Sequence, residues 1–156
     1  MAAPMLERRR IEAEILALVY DEMKSEFDAD TAQRIIANAV RKSSIAQGQS
    51  LAEQQGGETS LAAFIELQQL WTAGGTLEIE PGREEPDRFE FKVVRCMYAE
   101  MYKDMGLGDL GFTLSCNRDG TLCEGYDRKL KLARTQTIME GADHCDFKFS
   151  YGDQGD

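Results

Sequence analysis

The apolar residues of this chain change period half-way along it. Up to Gly75 they recur every three or four residues, the spacing of helices with one buried face. From Leu77 onward they alternate with charged residues, the period-two pattern of a half-buried strand. This order predicts an α+β fold, with N-terminal helices packed on one face of a small antiparallel sheet formed by the C-terminal half. No internal repeat or linker divides the 156 residues. They read as a single domain: a helical part over 1–75, strands, a short helix and site motifs over 76–151, and a tail at 152–156.

Pro4 suits a first helical turn, and Ile11, Ile15, Leu18 and Val19 predict the buried face of the first helix. Asp28 or Asp30 is placed to cap a second helix carrying Ile35, Ile36 and Val40, which fades near Gly48 or at Gly56-Gly57. Thr59 or Ser60 starts a third, with Phe64, Leu67 and Trp71 on one face until Gly74-Gly75. Leu77 and Ile79, a polar turn over Pro81 to Pro86, then Phe89, Phe91 and Val93 predict a hairpin. Met97, Met101 and Met105 mark a helix face ended by Gly106, and the stretch from Gly106 to Asp127 is glycine-rich and irregular with helical turns. A strand is expected from Leu130 and Leu132 through Arg134, Thr135 and Thr137. After a turn at Gly141, a last one carries Cys145, Phe147, Phe149 and Tyr151.

Charge narrows the partners. With 18 Lys and Arg against 28 Asp and Glu, the formal charge is −10. Nucleic acid and anionic membrane surfaces would repel such a chain, and the one basic run is Arg8-Arg9-Arg10. No stretch approaches the roughly 20 apolar residues of a membrane span. The first residues contain no apolar core of a secretory signal, so a cytoplasmic protein is expected. Cysteines 96, 116, 123 and 145 would then be reduced, and their gaps of 20, 7 and 22 contain no C-x-x-C pair. No cofactor is predicted. A divalent metal held by Cys, His and Asp from separate segments stays open, as does a homo-oligomer; the expected partner is a small molecule.

The unusual residues gather between 95 and 147. In order they are Arg95-Cys96-Met97-Tyr98-Ala99-Glu100, Leu114-Ser115-Cys116-Asn117-Arg118-Asp119, Glu124-Gly125, Arg134-Thr135-Gln136-Thr137, and Gly141-Ala142-Asp143-His144-Cys145-Asp146-Phe147. These five pieces, in register, resemble the L-2-amino-thiazoline-4-carboxylic acid hydrolase family. The resemblance is close over the last third of the chain and extends to the helical half in layout. It implies hydrolysis of a cyclic amidine-type ring to an open carbamoyl-cysteine product. Through the same pieces it brings Glu100 and Glu124 forward as acid/base residues, and Cys96, Tyr98, Thr137 and Asp146 toward a substrate site. A weaker likeness, helices followed by a sheet ending in Cys-x-Phe, is similar to vinyl-reductase and TRAPP-type ligand-binding domains. That layout implies a non-catalytic small-ligand-binding module with structural or metal-binding cysteines.

Ring opening needs a nucleophile for the sp² ring carbon, a proton for the departing atom, and stabilisation of the tetrahedral species. Cys116 is the first candidate nucleophile. Spacings of 3 and 7 put it on one helical face with Asp119, an acid or base, and Cys123, although Gly120 weakens that helix. A thiol needs a nearby cation to ionise at neutral pH, and His144, Arg118 or Arg134 could supply it. The competing account makes Cys116 a small buried hydrophobe. Cys145 shares a strand face with Phe147 and Phe149 and should point toward the helices, either as core packing or as part of the wall of a pocket between sheet and helices, with Asp146 on the other face. His144, the one imidazole, is either a proton carrier paired with a cysteine of another strand or a surface residue at a turn. Arg134 follows two inward leucines, so an anion must meet it: a substrate carboxylate, or Glu124 or Asp119 from within.

Overall fold

Two side-chain caps set the start of helices in the first half. Asp28 accepts a hydrogen bond from the Thr31 N–H at 2.7 Å, and Ser60 accepts one from the Ala63 N–H at 3.0 Å. Each satisfies a donor that the first helical turn leaves free. The computed structural model, which describes residues 4–152, has α1 over Pro4–Glu26, α2 over Ala29–Gln54, α3 over Leu61–Leu67 and α4 over Gln69–Thr72. Gly74 and Gly75, with φ of 78° and 72°, end this helical run in a conformation that glycine adopts freely. β1 (Leu77–Glu85) and β2 (Arg88–Cys96) form a hairpin, and α5 covers Met97–Asp104. A π-helical turn (Phe112–Cys116) runs straight into α6 (Asn117–Tyr126), followed by β3 (Leu130–Ala133), a 3-10 turn (Ile138–Glu140) and β4 (Cys145–Tyr151). The strands are antiparallel in the order β1-β2-β4-β3. Helices first and an antiparallel sheet later is the α+β arrangement that the change of period predicts.

One face of the sheet carries the core. Phe91 and Phe147 are register partners whose rings stack with centroids 5.0 Å apart. Phe64 of α3 lies 5.2 Å from Phe149 and 5.5 Å from Tyr126 of α6, so these helices cover the sheet. A second apolar cluster joins α1, α2, α5 and the π-turn around Tyr98, Tyr102, Ile36 and Leu114. Trp71, Leu77 and Cys96 touch both clusters.

α2 and α6 cross at close range. A Cβ on Gly48 would collide with the Leu122 carbonyl, and one on Gly125 with the Ile45 carbonyl. Gly48 therefore does not end α2. It lets the backbones meet, and the helix continues to Gln54. The glycine of the Glu124-Gly125 pair has the same packing duty.

Several expectations are corrected. Ile11, Ile15, Leu18 and Val19 are 53%, 62%, 64% and 42% exposed, so they are not the buried face of α1. That face is Met5, Arg9 and Ala13, continued by partly buried Leu16, Tyr20 and Met23. Hydropathy favours the stripe with more aliphatic carbon, but the chain buries the stripe whose arginine finds a carboxylate. The turn expected over Pro81 to Pro86 is shorter, because β1 continues to Glu85. Pro81 is tolerated on an edge strand interrupted by register shifts at Glu78/Ile79 and Pro81/Glu84. β3 stops at Ala133 and does not reach Thr137. The Thr135 and Gln136 N–H groups donate instead to the Asp146 carboxylate, at 2.9 and 3.0 Å. Residues 117–126 form a regular helix despite Gly120. On α5 the fully buried residues are Tyr98 and Tyr102, with the methionine stripe half-buried beside them.

Candidate functional site

Between the phenylalanine face of the sheet and the helices lies a cavity with an empty volume of about 790 Å³, open solvent at its entrance included. Its floor is Phe91, Val93, Cys145, Phe147 and Phe149 of the sheet. The π-turn and α6 contribute Ser115, Cys116, Arg118, Asp119 and Leu122; Trp71, Tyr98 and Arg9 close it from α4, α5 and α1. The walls are largely apolar, so a polar group among them acts with little competition from water.

Asp119 is the carboxylate of this cavity. Its Oδ2 accepts a hydrogen bond from Arg134 Nη1 at 2.6 Å, while no described residue donates to its Oδ1. Arg134 also donates from Nη2 to the Cys116 carbonyl at 3.2 Å and lies over the Phe112 and Phe147 rings. The anion that meets this guanidinium within the chain is therefore Asp119. Burial raises the Asp119 carboxyl above its ordinary range, against the pull of Arg134.

The thiols are electrically quiet. Burial, and next the Asp119 charge, pushes the Cys116 thiol far up, with Arg134 opposing. Burial likewise takes Cys96 up to about 11 and Cys123 up to about 12, and raises Cys145. Four free thiols that are protonated at neutral pH result. Cys123 is not among the residues lining the cavity, and its Sγ donates to the Asp119 carbonyl at 3.3 Å. Cys96 caps α5, its Sγ accepting from the Ala99 N–H. Cys145 Sγ accepts from the Ile138 N–H at 3.2 Å while its side chain borders the cavity.

The structure thus brings Cys116, Asp119, Cys145 and Tyr98 to one cavity, with Arg134 behind Asp119. Tyr98 donates its hydroxyl to the Trp71 carbonyl at 3.1 Å. Other residues singled out by the sequence lie elsewhere. Glu124 faces Arg41 at 3.6 Å and is half exposed, and Glu100 pairs with Arg95 on the surface. His144 Nδ1 contacts Asp143 Oδ1 at 2.6 Å beside Gln136. Thr137 is buried and caps the 3-10 turn, accepting from the Glu140 N–H and donating to its carboxylate. Asp146, on the outer face of the sheet, holds the 135–136 backbone and the Thr135 hydroxyl. Burial opposes its charge, but those hydrogen bonds outweigh burial and bring it down to about 2. Among the described residues no three His, Cys, Asp or Glu side chains are grouped to hold a metal.

A second charged group went unread in the sequence. Arg9 donates to Glu12 Oε1 at 2.9 Å, and Arg118 reaches the same oxygen at 3.3 Å and the Leu114 carbonyl at 2.8 Å. Arg9 sits in a run of three arginines that looks like surface. Its spacing from Met5 and Ala13 is the signal that could have placed it inside.

The profile of one protein family, described as L-2-amino-thiazoline-4-carboxylic acid hydrolase, matches residues 8–149. The chain belongs to that family. The hydrolase family match spans the helical half as well as the motif-bearing third, so the charged residues of α1 fall within it. No curated protein matches the sequence. Among solved structures, the phenol-responsive sensory domain of the transcription activator PoxR with phenol is similar at a TM-score of 0.51 and 12% identity, covering 97% of this chain and 75% of that one. A trafficking protein particle complex subunit 3 from Naegleria fowleri, covalently bound to palmitic acid, is similar at 0.51 and 5%, covering 94% and 96%. At these identities the hydrolase family member shares the fold of both proteins. Among the described residues no helix is long and apolar enough to cross a membrane.

Proposed function

We propose that this chain is a hydrolase that opens a small cyclic amidine or amide ring bearing a carboxylate, of thiazoline, imidazoline or hydantoin type. The observation that carries this reading is the Asp119–Arg134 pair, set beside Cys116 in an apolar cavity. The family's name supports the reaction class.

In the proposed reaction a water oxygen bonds to the sp² carbon between the ring heteroatoms, and one water proton passes to Asp119. One bond from that carbon to a ring heteroatom then breaks, and Asp119 returns the proton to the departing atom. Water is split across one ring bond and the carboxylate is regenerated. Asp119 suits both halves, since burial increases its affinity for the proton while Arg134 favours its ionised form. Cys116, a protonated thiol, positions the water or ring rather than attacking as a thiolate. Cys145 and Tyr98 shape the wall. Asp146 acts at a distance by holding the backbone next to Arg134. The free thiols support a reducing, cytoplasmic setting.

Incubation of the purified protein with thiazoline, imidazoline and hydantoin carboxylates, followed by mass spectrometry, tests this. A product heavier by one water is expected for at least one ring, and it is lost in Asp119→Asn. The apolar floor favours a second reading, a small-ligand-binding module. Thermal stabilisation by one of these rings with no mass change would select it.

A further inference from the structure

Glu12 is shared by three arginines. It accepts from Arg9 and Arg118 through Oε1 and from Arg8 through Oε2, at 2.9, 3.3 and 3.3 Å. Arg8 is on the surface, but the Arg9 and Arg118 side chains are only 2% and 7% exposed. Two buried guanidinium groups therefore face one carboxylate, in a protein whose net charge is −10. Arg118 is also incompletely bonded. Its Nε serves the Leu114 carbonyl and its Nη2 serves Glu12, while Nη1 is buried with no partner. Leaving a buried charged donor unpaired is costly, and native proteins do so rarely. Both arginines form part of the cavity wall, and Arg118 adjoins Asp119 in sequence. Arg134, by contrast, spends both terminal nitrogens on Asp119 and the Cys116 carbonyl.

We infer that Arg118, supported by Arg9, is a carboxylate subsite of this cavity, taking the acid group of a small ring ligand through its unpartnered Nη1. The inference rests on the hydrolase reading for the position of the ring beside Asp119, but not for the binding of the acid. A guanidinium with a free N–H pair suits a planar carboxylate, which supplies the missing acceptor and the missing negative charge together. Glu12 then acts as a partial counter-ion that keeps the empty subsite from being fully unpaired.

The test uses rings that are not hydrolysed. Thiazole-4-carboxylate and thiazole-4-carboxamide are titrated into the full chain at low salt and neutral pH by calorimetry. The carboxylate is expected to bind about tenfold more tightly or better, the worth of a charge-assisted hydrogen bond. Arg118→Gln should erase that preference and leave carboxamide binding in place. Arg118→Gln also removes the bond to the Leu114 carbonyl, a contact within the fold, so Glu12→Gln provides the second arm. Removing the competing carboxylate should strengthen thiazole-4-carboxylate binding several-fold without changing the carboxamide. Equal binding of the two rings to the unsubstituted chain, no binding of either, a preference that survives Arg118→Gln, or weaker carboxylate binding in Glu12→Gln would each overturn the subsite. A carboxylate preference in a protein that turns over no ring would leave the subsite standing and remove the hydrolase reading.

Discussion

Arg134 and Asp119 come from separate segments, a loop after β3 and helix α6, and meet at 2.6 Å at the wall of an apolar cavity. The arginine side chain is 10% exposed and the aspartate 30%. The aspartate is thus the more open member, and it borders the space where a ligand would lie. In the reaction we propose, the open member, Asp119, is the group that exchanges a proton, and Arg134 is its fixed counter-charge.

Asp119→Asn should lower turnover by about a hundredfold or more, the usual worth of a positioned acid/base residue. Removing one partner of the buried pair should also cost about 1–3 kcal/mol of stability. Asp119→Asn combined with Arg134→Gln should cost less than the sum of the two, which a double-mutant cycle by urea unfolding measures.

The thiols should resist alkylation. With Cys116 and its neighbours raised by burial, iodoacetamide should modify the folded protein far more slowly than the unfolded chain at neutral pH. Cys116→Ala should reduce turnover without abolishing it. Complete loss in a folded variant would restore a covalent thiol mechanism.

Asp146 supplies an acid-sensitive contribution to stability. Its carboxyl lies at about 2 in the folded chain against an ordinary 3.8. The stabilisation is therefore present above about pH 4 and lost as pH falls toward 2. Asp146→Asn should lower the melting temperature at pH 7, and the gap from the unsubstituted chain should close across that acid window in thermal scans.

Three glycines should answer differently to alanine. At Gly48 and Gly125 the new methyl would strike backbone of the facing helix, and a loss of about 2 kcal/mol or more is expected by denaturant unfolding. At Gly120 it meets open space within α6. Alanine there should stabilise by about 0.5–1 kcal/mol.

Much of the frame was legible because it depends on neighbours in sequence. The caps within the pairs Asp28/Asp30 and Thr59/Ser60, the stops at Gly74-Gly75 and the alternation of Phe89, Phe91 and Val93 are local signals, and they decided the order of helices and strands; the structure chose Asp28 and Ser60. The inward course of Arg134 after Leu130 and Leu132 was also readable, together with its need for an anion. Which anion it meets was a matter of tertiary structure, because Asp119 lies fifteen residues away on another element. The same holds for α1. Periodicity marks the Ile11, Ile15, Leu18 stripe of that helix, and burial of Arg9 in its place depends on Glu12 and on Arg118, more than a hundred residues later. A buried charge is favourable only where its partners stand, and a one-dimensional pattern of hydropathy contains no term for that.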